Sequence, residues 1–336
     1  MITINRRNLL GATLASIVAS PTVLAQSSQD WPVRPVRFVI PFPPGGGGDT
    51  VARAVAEKVG EILKQTVLVE NRTGGNAVIA ASLVAQAPPD GYTCLWDGNN
   101  HLSNRLLIKD LPFDYRTAFV PVGLTARFPQ VVAVRQDFPA RNFEEFLAYA
   151  RANPGKVSCG TPPSGGMGHL ALELIQRRAD IKLIHAPYRG GPDATRDVMG
   201  GQIDSVLLTT STIRPALQVN KVRLLAITSA QRSPIYPDVP CIGERLPGYD
   251  MDDWNGLFAP VGTPDSVVIR LNSAVNQALR DPAVAARMAP LGTVLVSTRP
   301  SEFSSWLTTQ RDVMEKLIRD SNITLTSSIA ASTLLS

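Results

Sequence analysis

The chain has 336 residues, of which 44% are hydrophobic and 18% charged, and a formal net charge of +5. Its 33 Lys and Arg are scattered, which excludes a nucleic-acid surface, because phosphate binding needs them gathered on one face. Cys94, Cys159 and Cys241 each sit in an apolar or turn segment and read as buried thiols, which excludes a disulfide framework.

Residues 1–25 read as a signal peptide: a basic start with Arg6 and Arg7, an apolar run from Leu9 to Val18, and the small-residue ending Val23-Leu24-Ala25. The expected destination is the periplasm. No cysteine follows Ala25, so lipoprotein acylation is not expected. Asn8-Leu9-Leu10 is a loose continuation of a twin-arginine signal, and ordinary secretion is the expectation. No later stretch approaches the roughly 20 apolar residues of a membrane-spanning helix. The expected mature chain carries 31 Lys and Arg against 28 acids, a charge of +3. Its length exceeds what one core usually fills, so two lobes are expected.

Val36 to Ile40 predicts a strand, and Val51, Val55, Val59 and Ile62 recur at helical spacing after it. Thr66 to Val69 and Tyr92 to Trp96 predict strands on either side of a helix over Ala77 to Ala87. The order restarts with a strand over Gln130 to Val134, a helix over Phe143 to Ala152, the strand Val157 to Cys159 and a helix over Gly168 to Arg178. Lys182 to His185, Ser205 to Leu208 and Val222 to Ile227 continue as strands, with a helix over Pro192 to Met199. Alternation of this kind predicts an α/β chain whose lobes are mostly parallel sheets flanked by helices. Thr263-Pro264 and Asp281-Pro282 each look like an N-cap followed by proline, and Phe303, Leu307, Met314, Leu317 and Ile318 stripe a last helix. Those helices bring no new strands, so they are expected to return to the first lobe. The domain expectation is residues 26–126 with 253–322 as lobe 1, residues 127–252 as lobe 2, and residues 323–336 as a tail. Two crossovers between lobes can act as a hinge.

Between the first strand and first helix lies Phe42-Pro43-Pro44-Gly45-Gly46-Gly47-Gly48-Asp49, at the strand end where ligands of open sheets bind. Four glycines let backbone N–H groups approach an anion beside the positive end of the helix. Because Asp49-Thr50 replaces the Lys-Ser/Thr ending of a phosphate loop, a nucleotide site is not expected. Asp49 reads either as a helix cap or as a ligand contact. Thr161-Pro162-Pro163-Ser164-Gly165-Gly166-Met167-Gly168 repeats the device in the second lobe. Each loop alone could be a tight turn, but two in one chain point to a pocket. On that reading a valine at Gly46 should block binding.

These segments resemble the tripartite tricarboxylate transporter substrate-binding family, the TctC or Bug type. The resemblance runs through Pro43-Pro44-Gly45-Gly46 with Asp49, Glu70-Asn71-Arg72, Asp90-Gly91-Tyr92, Gly168-His169-Leu170, His185-Ala186-Pro187-Tyr188-Arg189-Gly190, Gly200-Gly201-Gln202-Ile203-Asp204 and Gly256-Leu257-Phe258-Ala259-Pro260. It implies a two-lobed periplasmic receptor of Venus flytrap architecture that traps a small organic acid, a dicarboxylate, tricarboxylate or acidic amino acid, and delivers it to a membrane transporter. Implied ligand-binding positions are Phe42, Gly45, Gly46, Gly47, Gly48 and Asp49 from the first loop, with Asn99 and His101 beyond the third strand. The second lobe would add Thr161, Ser164, Gly165, Gly166, Met167 and Gly168, then Tyr188, Arg189 and Gly190. The chain departs from the family at Gly166, where a small hydroxyl residue is common, and at Pro163, where glycine is frequent.

The reading is of a monomer with no cofactor, no metal and no catalysis. A serine hydrolase at Ser164 lacks the first glycine of its motif and a late histidine. His101, His169 and His185 show no metal spacing. A receptor that presents its solute to a sensor protein is the alternative to transport.

Overall fold

A computed structural model of the protein describes residues 31–162, 165–249 and 251–321. The expected signal peptide, Pro163, Ser164 and the tail lie outside the described residues. Lobe 1 opens with β1 (Val36–Ile40), α1 (Gly47–Leu63), β2 (Val67–Asn71), α2 (Val78–Ala85), β3 (Thr93–Asp97), α3 (Asn100–Leu107) and β4 (Phe119–Phe128). The chain then crosses at Pro129. Lobe 2 contains β5 (Gln130–Arg135), α4 (Phe143–Ala152), β6 (Ser158–Thr161), α5 (Met167–Ala179), β7 (Ile184–Pro187), α6 (Gly191–Met199), β8 (Ser205–Thr209), α7 (Thr210–Gln218) and β9 (Val222–Ile227). Return to lobe 1 brings β10 (Asp253–Pro260), α8 (Asp265–Leu279), α9 (Pro282–Met288), β11 (Val294–Leu295) and α10 (Pro300–Ser321).

The elements form where periodicity and capping agree. Val51, Val55, Val59 and Leu63 bury one face of α1, which ends where Lys64 adopts a left-handed conformation and donates its N–H to Gly60. Asn142 caps α4 by accepting from Glu145 N, and Asp281 caps α9 by accepting from Ala283 N. Thr263 does not cap α8. Its hydroxyl donates to the Pro260 carbonyl at 2.7 Å, and the helix starts at Asp265 with Pro264 before it. All three cysteines are buried, with no disulfide among the described residues.

Both sheets are mixed rather than mostly parallel. Lobe 1 has the order β11-β4-β10-β3-β1-β2 and lobe 2 the order β7-β6-β8-β5-β9. β1 runs parallel to β2 and β3, and β6 parallel to β7 and β8, as strand-helix-strand connections require. The crossing strands supply the antiparallel pairs. β10 re-enters lobe 1 alongside the departing β4, pairing from Asp253↔Phe128 to Pro260↔Phe119, and β5 pairs antiparallel with β8 and β9. The two crossovers therefore lie side by side. Gln130 N donates to the Thr228 hydroxyl, and the Gln130 carbonyl accepts from Thr228 N, both at 2.9 Å. α10 covers lobe 1 through Phe303 and Trp306 against Trp254, pairs Glu315 with Arg105 of α3, and also lies against α5 of lobe 2.

Candidate functional site

The loop from Pro41 to Gly46 is held open by α1 itself. Gly45 has φ +83°, a left-handed conformation that glycine adopts without strain, and its N–H donates to Asp49 Oδ2 at 3.0 Å. Asp49 also accepts from Arg53 Nε at 3.0 Å and Asn71 Nδ2 at 2.9 Å, while Asn71 Nδ2 donates to the Phe42 carbonyl. Burial pushes the Asp49 carboxyl up, but the bonds from Arg53, Asn71 and Gly45 outweigh it and hold its pKa below the usual carboxylate value. Asp49 is thus a staple in the third position of α1, neither the N-cap nor a residue with room for an anion. The N-cap is Gly46, extended at φ −71°, which offers no side-chain bond to the helix start. The N–H groups of Gly47 and Gly48 meet no acceptor among the described residues.

The start of α5 in lobe 2 has the same local geometry. Gly165 has φ +79°, Gly166 is the uncapped N-cap of α5, and the Gly165 N–H donates at 3.1 Å to Nδ1 of His169, again the third helix position. A neutral imidazole does here what the Asp49 carboxylate does in lobe 1. His169 stacks on His185 with ring centroids 4.0 Å apart, and His185 Nε2 lies 2.7 Å from the Thr161 hydroxyl, which also donates to the Pro162 carbonyl. Burial lowers both imidazoles to about 4, and for His185 the neighbouring His169 adds to it. His169 Nε2 lies 3.7 Å from Glu173, whose carboxyl burial pushes up.

Two more helix starts meet these loops. α6 begins after Gly190 and α7 after Thr209, neither with a side-chain cap, whereas α4 and α9 carry theirs. A side chain at Gly190 would meet Pro43 of the other lobe at 3.2 Å, and one at Gly47 would meet Ser211 Oγ at 3.1 Å and Phe128 at 3.4 Å. The lobes are therefore in contact across the cleft. Behind the lobe 1 loop, beside Gly48 and Gly98, lie buried polar side chains. Asn255 is 3% and Asn99 2% exposed, and Asn255 Oδ1 and both polar atoms of the Asn99 side chain have no hydrogen-bond partner among the described residues. Asn255 Oδ1 would lie 2.6 Å and Phe42 2.8 Å from any Cβ on Gly48.

The structure sets Gly47 and Gly48 against Ser211, Phe128, Asn255 and Phe42, and Gly190 against Pro43, while Gly165 and Gly166 form the start of α5 within lobe 2. It turns several named side chains elsewhere. Thr161 is occupied by His185, and the Tyr188 hydroxyl donates to Asp197 of α6 at 2.9 Å. Met167 is buried in the core, and Gly168 packs against Pro162 and the Leu207 carbonyl. His101 stacks on Phe258 at 3.9 Å with Tyr115 and Phe119 beside it, which places its ring in the aromatic core of lobe 1. Arg189 is exposed beside Gly190. A Cβ on Gly46 would meet nothing closer than the Pro43 carbonyl at 3.4 Å, whereas one on Gly48 would clash with Asn255 and Phe42. Sequence reasoning missed Asn255 and the run Thr209-Thr210-Ser211-Thr212. The four successive hydroxyl residues at the end of β8 and the start of α7 were the available signal, hidden by Pro215 within α7.

Residues 51–323 match the model of the tripartite tricarboxylate transporter family receptor. The chain is 38% identical over 315 residues to the UPF0065 protein in the tcbD-tcbE intergenic region of Pseudomonas sp. strain P51, covering 93% of each. Among solved structures it is similar to Rpa4515 of R. palustris with adipate, at TM-score 0.84 and 31% identity, covering 88% of this chain and 99% of the other. It is also similar to MatC (Rpa3494) from Rhodopseudomonas palustris with bound malate, at TM-score 0.79 and 30% identity, covering 86% and 100%.

Proposed function

This chain belongs to the family of tripartite tricarboxylate transporter receptors, and from that premise we propose that it captures a small organic acid in the periplasm and delivers it to a membrane transporter. One observation carries the acid: α1 and α5 each begin after a glycine loop with a glycine N-cap and no side-chain cap, so a small anion can approach their first N–H groups. Uncapped N–H groups at the positive end of a helix favour a carboxylate. Adipate and malate in the similar structures support the same class. Recognition by amides also explains why so many named side chains are engaged elsewhere, and the buried Asn99 and Asn255 can take the remaining polar groups of the acid.

The reading is of a binding protein without catalysis. His169 Nδ1 is taken by Gly165 N–H and His185 Nε2 faces Thr161, so neither histidine stands ready as a base for a serine in the loop. A thermal-shift panel of malate, adipate, succinate, citrate, glutamate and aspartate tests the proposal. At a hundredfold excess over Kd a ligand adds about 2.7 kcal/mol of stability, readily seen as a rise in Tm. Ser164→Ala should weaken the best acid by no more than about 1.5 kcal/mol, one ordinary hydrogen bond. A flat panel together with ester hydrolysis that disappears in Ser164→Ala would instead make the protein an enzyme.

A further inference from the structure

We propose that Ser211 is a positioning residue of lobe 2, the seat against which the glycine loop of lobe 1 closes, and that Gly47 lacks a side chain because of Ser211 rather than because of the bound acid. The proposal rests on the acid-binding reading above for its consequence but on the contact geometry for its substance. Ser211 Oγ would stand 3.1 Å from a Cβ at Gly47, and Phe128 Cδ1 3.4 Å from it. Phe128 ends β4, next to the crossover, so this is the hinge side of the cleft. The hydroxyl of Ser211 is fixed by Thr209 Oγ1 at 3.1 Å, and Thr209 Oγ1 is itself 2.8 Å from Thr212 Oγ1.

The residue before it makes a second contact between lobes. Thr210, 2% exposed, donates its hydroxyl to the Leu291 carbonyl at 2.7 Å, and Arg214 one turn later donates to the Pro290 carbonyl at 3.0 Å. Pro290 and Leu291 lie in the turn between α9 and β11, and β11 pairs with β4 at Val294↔Arg127. The Thr210 N–H also reaches the Pro129 carbonyl at the crossover. The first turn of α7 is therefore anchored to lobe 1 by Thr210 while Ser211 meets the loop that carries the acid-facing amides. A helix pinned this way sets how near the α1 amides can come when the lobes close. Because those amides hold the acid, a few tenths of an ångström at Ser211 are read out as affinity.

Two measurements test this. In the first, Gly47→Cys and Ser211→Cys are combined in the full chain and treated with a mild oxidant in the presence and absence of malate. A disulfide between the two, found by peptide mass, is expected, and the buried Cys94, Cys159 and Cys241 do not compete for it. In the second, calorimetric titration with malate and adipate compares the parent with Gly47→Ala, Ser211→Gly and the double variant. Gly47→Ala should weaken binding about fivefold, Ser211→Gly less than twofold, and the double variant should return to within about twofold of the parent. Rescue separates a positioning role from simple loss of a contact. A Gly47→Ala defect that persists in the double variant, or no cross-link under any condition, overturns the proposal. If no acid of the thermal-shift panel binds the parent, the carboxylate reading fails, and the cross-link alone then decides whether Ser211 is the closing seat.

Discussion

Gly48→Val is expected to weaken acid binding by at least thirtyfold, about 2 kcal/mol, while Gly46→Ala stays within about threefold of the parent. A Cβ at Gly48 would fall 2.6 Å from Asn255 Oδ1 and 2.8 Å from Phe42 Cδ2, distances that real Cβ atoms do not tolerate. Neither neighbour is free to withdraw. Asn255 belongs to β10, its carbonyl accepts from Thr125 Oγ1 at 2.9 Å, and its Nδ2 donates to the Trp254 carbonyl at 2.8 Å. Phe42 is held by its own carbonyl bond to Asn71 and by the close packing of its ring on Gly98. Overpacking of this kind costs about 1–3 kcal/mol, and the relief available is a shift of the α1 start away from the cleft. At Gly46 the backbone is already extended and only the Pro43 carbonyl is near, so alanine fits. Titration of both variants with malate or adipate, with circular dichroism to confirm folding, reads the difference. Equal affinities for Gly46→Ala and Gly48→Val would mean that the start of α1 does not hold the acid.

Acidification from pH 7 to pH 4 is expected to remove about 3 kcal/mol of stability through His169 alone. Its folded pKa of about 4 lies below the ordinary value of 6.5, so between those limits the unfolded chain binds a proton that the folded chain refuses. Stability is therefore fully present above pH 6.5 and is lost as pH falls toward 4. His185, also lowered to about 4, acts in the same direction. The loss has a structural address. Protonated His169 carries a hydrogen on Nδ1 and can no longer accept from Gly165, so the lobe 2 loop loses the bond that holds it open. His169→Asn presents an amide oxygen to Gly165 and does not titrate. Its stability between pH 4 and pH 7 should be flatter than the parent's by about that amount, measured by thermal melts or urea titration. Parallel curves for parent and variant would remove His169 as the source.

How the two lobes hold their loops shows where sequence reasoning reached its limit. Both Gly45-Gly46 and Gly165-Gly166 are visible as glycine pairs between a strand and a helix, since tight turns and helix starts are dictated by neighbouring residues. That Asp49 and His169 are equivalent was not visible, because a carboxylate and an imidazole share no pattern. Their likeness is one of position, each accepting from the glycine four residues before it.

The sequence by itself determined the α/β order of the chain, the strand-to-helix placement of both glycine loops, the Asp281 cap and the buried character of the three cysteines. Each depends on spacing, on the turn chemistry of adjacent residues, or on the apolar or turn segment around them. Only the tertiary structure decided that the crossing strands make the sheets mixed, because β4 and β10 pair across more than a hundred residues of chain. It also decided that His101 belongs to the lobe 1 core, that Thr161 and Tyr188 are occupied within lobe 2, and that Asn255 and Ser211 face the loop around Gly47 and Gly48. A side chain's partner at long range is set by how sheets and helices pack, and that information is spread over the whole chain rather than written beside the residue.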